Sequence, residues 1–381
     1  MLFSHISDTH LGLRQYNSDE REQDVYDAFN QAIDISIQDQ VDFVIFAGDI
    51  FEHPRPMGNA ILQMANALKR LKENNIDSFY ILGEHDISNL HKQNPVPYTY
   101  SNLGFSTHIG SGKTIEYKGI MLVGLDKIKL AQMTQNEKRF SDLDKNIENF
   151  SGHKILVLHQ AITEFWKEVG ELQSTDLPKN FTYYAMGHIH DKHIKQFNYL
   201  KGPIVYPGSI ELMESEGIKN VKKGFFEVDI SGKDAIPKWI ELDIRPQFSF
   251  NIEYKELTKK IDEITGKISN LTKKPIIQVI IQGEDIEIDC IHAQIARLTP
   301  LSLRCFLKIT TNQIPDSSVF LDRPNEIEDE ILKLSIKALD SEQDANFAIN
   351  QLLPKLLKGE TEQGLEIIIE NFEEFKKEEK K

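Results

Sequence analysis

The pattern of apolar and polar positions divides the chain near Arg245-Pro246. Before that point, short apolar runs alternate with stretches of helical period. Leu2–Ser7, Val41–Ala47, Ser78–Leu82, Ile120–Leu125, Ile155–Leu158 and Tyr183–Met186 read as strands. The near-continuous apolar character of Val41–Ala47 is that of a strand covered on both faces. Between the strands, Val25, Ala28, Phe29, Ala32, Ile33 and Ser36 recur at helical spacing after an acidic start at Asp19 and Glu22, and Ala60, Ile61, Met64, Leu68 and Leu71 form a second stripe. Strand and helix in alternation predict an α/β sheet layered by helices. After the break, Phe248–Tyr254, a helix over 255–271, Ile276–Ile281, a helix around Ile288–Leu298 and Leu303–Thr310 predict a small β-α-β-α-β unit. Residues 313–345 are polar and acidic and read as a linker with one short helix. Ala348–Leu357 and Leu365–Phe375, on either side of Gly359, read as a helix-loop-helix. Its apolar face comes from Leu352, Leu353, Leu356 and Leu357 with Leu365, Ile368, Ile369 and Phe372.

Length and composition fit that division. A chain of 381 residues exceeds what one core usually fills, so units at 1–245, 246–312, 313–345 and 346–381 are expected. With 40 % hydrophobic and 27 % charged residues the chain reads as soluble. No apolar run reaches the ~18 residues of a membrane span. The opening segment lacks the basic region of a cleaved signal. Cys290 and Cys305 lie in apolar stretches and read as structural thiols of a reduced, cytoplasmic protein. The net charge of −15 runs against the basic balance common in nucleic-acid binders. It does not exclude such binding, because bound cations and local patches set the field at a site. Arg14, Arg55, Lys127, Lys129, Lys192, Lys195, Lys219, Lys222 and Lys223 are the candidate cations for that contact.

The candidate chemistry sits where the predicted strands end. Asp8-Thr9-His10, Gly48-Asp49, Gly83-Glu84-His85-Asp86, His159-Gln160 and Gly187-His188-Ile189-His190 come in that order, each after an apolar run. Open α/β sheets gather such ends at one rim, where carboxylates and imidazoles from several strands converge. The set is large enough for two divalent cations and suits manganese, iron or zinc rather than calcium. A carboxylate such as Asp49 can lie between two cations ~3.5–4 Å apart, the arrangement used for in-line displacement at phosphorus. His5, His91, His108, His153 and His292 lack this context and read as packing histidines. Gly110-Ser111-Gly112-Lys113-Thr114 imitates the end of a phosphate-binding loop. The glycine required five residues before Gly112 is Thr107, however, and a strand follows instead of a helix, so a turn is expected.

In order and spacing, the five clusters resemble the calcineurin-like metallophosphoesterase superfamily. Within it, Phe3-Ser4-His5-Ile6-Ser7-Asp8-Thr9-His10-Leu11-Gly12, Arg14-Gln15-Tyr16-Asn17, Gly48-Asp49-Ile50-Phe51 with Arg55-Pro56, Tyr183-Tyr184-Ala185-Met186-Gly187-His188-Ile189-His190 and Gly208-Ser209-Ile210-Glu211 resemble DNA double-strand-break repair nucleases of the Mre-eleven/SbcD type, archaeal ones in particular. The likeness covers residues 1 to about 245 well, the next unit by pattern, and the C-terminal helices by layout. It implies a two-sheet sandwich flanked by helices, with a small α/β cap that binds DNA. It implies two Mn2+ per subunit, one held by Asp8, His10, Asp49 and His190, the other by Asp49, Glu84, His159 and His188. His85 would serve the leaving oxygen, oriented by Asp86. The activities implied are 3′-to-5′ exonuclease on duplex ends and endonuclease on single strands. The partners implied are DNA ends, a second copy of the chain through helices such as Ala60–Leu71, and a Rad-fifty/SbcC-type ATPase docked on the C-terminal helices.

The chain departs from this pattern at two places. The family places Asn where Glu84 stands, so three carboxylates face two dications. That predicts tighter binding at the second position, lower Lewis acidity and an altered metal preference, unless the longer side chain displaces the cation. Some relatives carry His after the Gly-Asp-x-Phe motif, where this chain has Glu52 followed by His53. Two other functions stay open: a DNA-end-binding scaffold whose nuclease is weakened by Glu84, and a phosphoesterase acting on a small nucleotide or a phosphoprotein.

Overall fold

The computed structural model describes residues 1–88, 94–128, 136–167, 170–284, 286–311, 335–336, 341–353 and 367–368. Strands β1 (Leu2–Ile6), β2 (Phe43–Ala47), β3 (Asp77–Ile81) and β4 (Thr107–His108) run parallel. They join β11 (Gly224–Asp229) and β12 (Ile236–Glu241) in a six-stranded sheet of order β12-β11-β1-β2-β3-β4. A second sheet has the order β5-β6-β7-β8-β10-β9, from β5 (Ser111–Tyr117), β6 (Ile120–Leu125), β7 (Lys154–His159), β8 (Tyr183–Gly187), β9 (His193–Lys195) and β10 (Ile204–Tyr206).

Alternation along the strands explains the layering. Phe43, Ile45 and Ala47 of β2 face Ile155, Val157, Tyr183 and Ala185 in the core between the sheets. Val44 and Phe46 point the other way, onto Phe29, Ala32 and Ile33 of α1 (Asp19–Gln38) and Met64, Leu68 and Leu71 of α2 (Gly58–Glu73). On the far side, Leu156, Leu158, Tyr184 and Met186 pack with Phe140, Leu143 and Ile147 of the helix Asn136–Ile147. Phe3 stacks on Phe43, centroids 4.8 Å apart, and meets Tyr183 of the opposite sheet edge-on at 5.4 Å.

Beyond Arg245, β13 (Gln247–Glu253), β14 (Ile276–Gly283) and β15 (Arg304–Thr311) form a three-stranded sheet. The helices Leu257–Ile268 and Ile288–Ala296 complete the expected β-α-β-α-β order. The chain divides into two compact units. One comprises Met1–Ile252, Glu256–Ile281 and Glu287–Lys308, the other Glu253–Lys255, Gln282–Ile286 and Ile309–Lys381. In the first, the Arg245 guanidinium holds the Asp24 carboxylate at 2.5 and 2.9 Å, and Asp24 also accepts from the fully buried Arg21.

Several expectations change. α1 starts at Asp19 with Ser18 as its N-cap residue, and the Ser18 hydroxyl bonds Glu20 rather than the backbone. Ser111–Thr114 belongs to β5, with a bulge that Gly112 accommodates, and is no phosphate loop. His292 is exposed, and His91 lies outside the described residues. Ala60, Met64, Ala67, Leu68 and Leu71 of α2 are buried in the core. Glu342–Phe347 is helical across the expected boundary between the linker and the C-terminal segment, and most of the stretches around Gly359 lie outside the described residues. Among the described residues no helix is long and apolar enough to cross a membrane.

Candidate metal centre

The parallel strands bring their carboxyl ends to one rim. Asp8 and His10 follow β1, Asp49 follows β2, Glu84 and His85 follow β3, His159 ends β7, and His188 and His190 follow β8. Both sheets therefore contribute. The loops after β1 and β2 continue the strand pairing: Asp8 N–H donates to the Gly48 carbonyl at 3.1 Å and His10 N–H to that of Asp49 at 3.0 Å. Across the sheets, His188 N–H donates to the Asp8 carboxylate at 3.0 Å. Asp8, His10, Asp49 and His188 all lie in the left-handed region, with φ of 52°, 43°, 48° and 88°. Non-glycine residues there cost on the order of 1–3 kcal/mol each and persist where surrounding structure enforces them, typically at functional sites.

Two glycines make room for one imidazole. A Cβ on Gly48 (φ +90°) would lie 2.3 Å from His159 Nδ1, and one on Gly187 would lie 2.7 Å from the same atom. With that space open, His159 Nδ1 donates to the Ala47 carbonyl at 2.7 Å, which leaves Nε2 as an acceptor facing the rim. His10 is set the same way by Glu52, whose carboxylate takes Nδ1–H at 2.8 Å. The Glu52 carbonyl receives His85 Nδ1–H, also at 2.8 Å, leaving His85 Nε2 toward the cleft.

The donor atoms fall into groups, each within 4.8 Å: Asp49, Glu84, His159 and His188; Asp8, His10 and His190; and His10, Glu52 and His85, the last two sharing His10. His159 Nε2 lies 3.1 Å from Asp49 Oδ2 and 3.2 Å from Glu84 Oε2, yet His159 Nε2 and Glu84 Oε2 are buried without a hydrogen-bond partner. Asp49 Oδ2 is also 3.9 Å from His10 Nε2, and His10 Nε2 faces His190 Nε2 at 3.3 Å. Ring nitrogens and carboxylate oxygens converging there, with His159 Nε2 and Glu84 Oε2 left unpaired, fit a divalent cation, and an imidazole–carboxylate set without thiolate fits a metal of intermediate softness.

The electrostatics agree. Burial pushes the Asp8 carboxyl up. Burial would raise Asp49 too, but the His159 imidazole beside it, with His10, holds it well below the usual carboxylate range. Burial alone would lower His10, but its bond to Glu52 and the Asp49 and Asp8 charges push it up to about 9. His190, buried and facing His10 and Lys223, is held well below its ordinary value. The carboxylates thus attract positive charge to the centre of the rim, the place a dication would take.

Every residue expected at the rim is there, but some supporting roles differ. Asp86 does not touch the His85 ring: its carboxylate accepts from the N–H groups of Ile50, Phe51 and Gly83 at 3.0–3.2 Å, tying two loops together. Glu52 orients His85, whereas His53 is exposed and outside the cluster. Lys223, a candidate DNA contact, is buried and bonds the His190 carbonyl, Ser209 and Glu216. Lys127 is bound to acidic groups at the rim, and Lys129 lies outside the described residues. Glu52, Glu216 and Lys223 were not singled out as site supports from sequence; Glu52 stands three residues after Asp49, but Glu216 and Lys223 lie far from every ligand motif and gave no signal. A cavity of about 500 Å³ opens on the rim between Asp49, Glu84 and His85 on one side and Phe165, Trp166 and Lys219 on another.

Comparison with known proteins agrees with this geometry. Residues 1–192 match the family of calcineurin-like phosphoesterases. The chain is 32 % identical over 362 residues to the DNA double-strand break repair protein Mre11 of Saccharolobus solfataricus, covering 91 % of this chain and 93 % of the relative. It is 35 % identical over 289 residues to that of Methanococcus maripaludis (73 % and 77 % covered) and 36 % identical over 291 residues to that of Methanocaldococcus jannaschii (73 % and 75 %). With its strand-end clusters gathered at one rim, the chain belongs to the calcineurin-like phosphoesterase family, on its Mre11 branch.

Proposed function

We propose that the chain is a manganese-dependent nuclease that processes DNA ends in double-strand-break repair, cutting duplex ends 3′ to 5′ and single strands internally. The observation that carries this reading is Asp49, whose carboxylate lies between the His10 side and the His159 side of one continuous donor set. Asp8, His10, Asp49 and His190 would hold one cation; Asp49, Glu84, His159 and His188 would hold the other. Bound there, the cations would polarise the phosphodiester and supply a water nucleophile at neutral pH.

The remaining steps belong to the protein. His85, fixed through Nδ1 by the Glu52 carbonyl, presents Nε2 to the cleft and donates a proton to the leaving oxygen. Glu52 keeps His10 in the tautomer that offers Nε2. Phe165 and Trp166, the latter 40 % exposed, line the same cavity, and aromatic faces there support stacking of the bases next to the scissile bond. This wall favours a nucleic acid over a small phosphodiester.

The unit at 246–312 is assigned to duplex contact. In support, the Arg304 guanidinium donates to the Tyr16 carbonyl at 3.3 Å and the Phe306 ring lies 5.0 Å from that of Tyr16, in the loop following the first motif. Exposed Met57, Leu62 and Leu103, after the second and third motifs, support a homodimer. The C-terminal segment at 346–381 is assigned to a Rad-fifty/SbcC-type ATPase, in a heterotetramer acting on the chromosome in the cytoplasm.

The test is degradation of end-labelled linear duplex DNA with manganese, with magnesium and after chelation. The reading predicts manganese-dependent cutting that falls roughly 10²–10⁴-fold in His85→Ala while manganese affinity stays unchanged. Metal binding and DNA binding without cutting would favour the scaffold instead, and faster hydrolysis of a small phosphodiester than of DNA would favour the small-substrate enzyme.

A further inference from the structure

Glu84 brings a third carboxylate to the rim, and one cation of the protein is built against it. Lys127 Nζ lies 3.4 Å from Glu84 Oε2, the same oxygen that faces His159 Nε2 without a hydrogen-bond partner. The lysine is not a mobile surface cation. Its side chain is 11 % exposed, and Glu171 grips it at 2.9 and 3.0 Å through its two carboxylate oxygens. Glu171 in turn accepts the Ala161 N–H at 2.9 Å, just after His159. The Lys127 N–H donates to the Leu82 carbonyl at 2.8 Å, just before Glu84. The ammonium is thus locked between the loops that carry Glu84 and His159, close enough to offset charge on Glu84 Oε2 while leaving that oxygen unbonded.

We propose that Lys127 is a positioning residue of the metal site: its ammonium compensates the Glu84 carboxylate and sets how tightly the neighbouring donor group holds a divalent cation. Three carboxylates and two dications sum to one positive charge, and the lysine adds one that offsets its Glu171 anchor. Without it, the site is more negative, so a cation binds more tightly, while the cation-free cluster is more self-repelling. Glu171 is the anchor that keeps the ammonium at Glu84. The inference rests on the reading that these groups bind metal, so the experiment separates the two.

The full chain, stripped of metal, is titrated with manganese by calorimetry and melted without metal, as the unaltered protein and as Lys127→Gln, Lys127→Arg, Glu84→Gln and Lys127→Gln with Glu84→Gln. Lys127→Gln alone is expected to tighten manganese binding about five- to ten-fold and to lower the metal-free Tm by roughly 2–4 °C. Lys127→Arg, which keeps the charge, is expected to bind manganese as the unaltered protein does. In the Glu84→Gln background, Lys127→Gln is expected to change affinity and Tm little. If Lys127→Gln does not fold, restored folding on adding Glu84→Gln supports the pairing, and continued failure overturns it. Equal effects of Lys127→Gln with and without the Glu84 carboxylate overturn the inference but leave the metal site standing. Failure of the unaltered chain to bind manganese overturns both.

Discussion

At the scale of single residues, the side chains gathered at the rim were legible and their supports were not. Asp8, His10, Asp49, His159, His188 and His190 announce themselves because each follows an apolar run, and strand ends converge. Glu52 reaches His10 from a loop 42 positions away, and Glu171 reaches Lys127 from 44 away, contacts that no local period encodes. Asp86 stands beside His85 in sequence, yet its carboxylate is spent on three backbone N–H groups while the ring is held by another loop. The glycines were visible as residues, but the reason for them is steric. Gly48→Ala puts a methyl group 2.3 Å from His159 Nδ1 at φ +90°. We predict that it displaces His159 from the Ala47 carbonyl, weakens manganese binding about 10–100-fold and destabilises the fold by roughly 1–3 kcal/mol. Calorimetric titration and thermal melting measure both, and wild-type values in each would contradict this account of the glycine.

At the scale of elements, strands buried on both faces were readable and thin ones were not. β2 presents five apolar residues in a row, and β6 was bounded correctly as Ile120–Leu125. β12 is half-exposed, carries Pro237 and sits at a sheet edge, and β10 is three residues long, so neither produces a period long enough to see. β11 adds an energetic feature. Its Glu227 is 3 % exposed beside Asp39, the residue that ends α1. Burial, then the Asp39 charge at the negative end of that helix, pushes the Glu227 carboxyl up from 4.5 to about 7. A raised carboxyl keeps its proton more firmly folded than unfolded. Its burden on stability is therefore absent below the ordinary value, grows as pH rises toward about 7 and is complete above it. Glu227→Gln is predicted to stabilise the protein by about 1–3 kcal/mol at alkaline pH and to change little at acid pH. Denaturant unfolding at the two pH values measures this, and an equal effect at both would contradict it.

At the scale of the whole molecule, the alternation of strand and helix foretold layers, while the two-sheet sandwich was legible only through the resemblance of the motifs to a known family. Asp8, His10, Asp49, Glu84 and His85 come from one sheet and His159, His188 and His190 from the other, joined by the His188 N–H to Asp8 and the His159 Nδ1–H to the Ala47 carbonyl. The centre therefore exists only when the sheets are packed. Within the helix expected to carry a contact between copies, the apolar stripe of Ala60, Met64, Leu68 and Leu71 is buried in the core, while Met57, Leu62 and Leu103 stay exposed at 76 %, 57 % and 62 %. Leu62→Glu with Leu103→Glu is predicted to convert a dimer into a folded monomer by light scattering, and a variant that stays dimeric would contradict that surface. The central claim is that the rim holds two divalent cations with Asp49 between them. Anomalous diffraction from crystals grown with manganese tests it most directly. The account predicts two peaks ~3.5–4 Å apart, one beside Asp8, His10 and His190 and the other beside Glu84, His159 and His188. A single peak, or none among these residues, would contradict it.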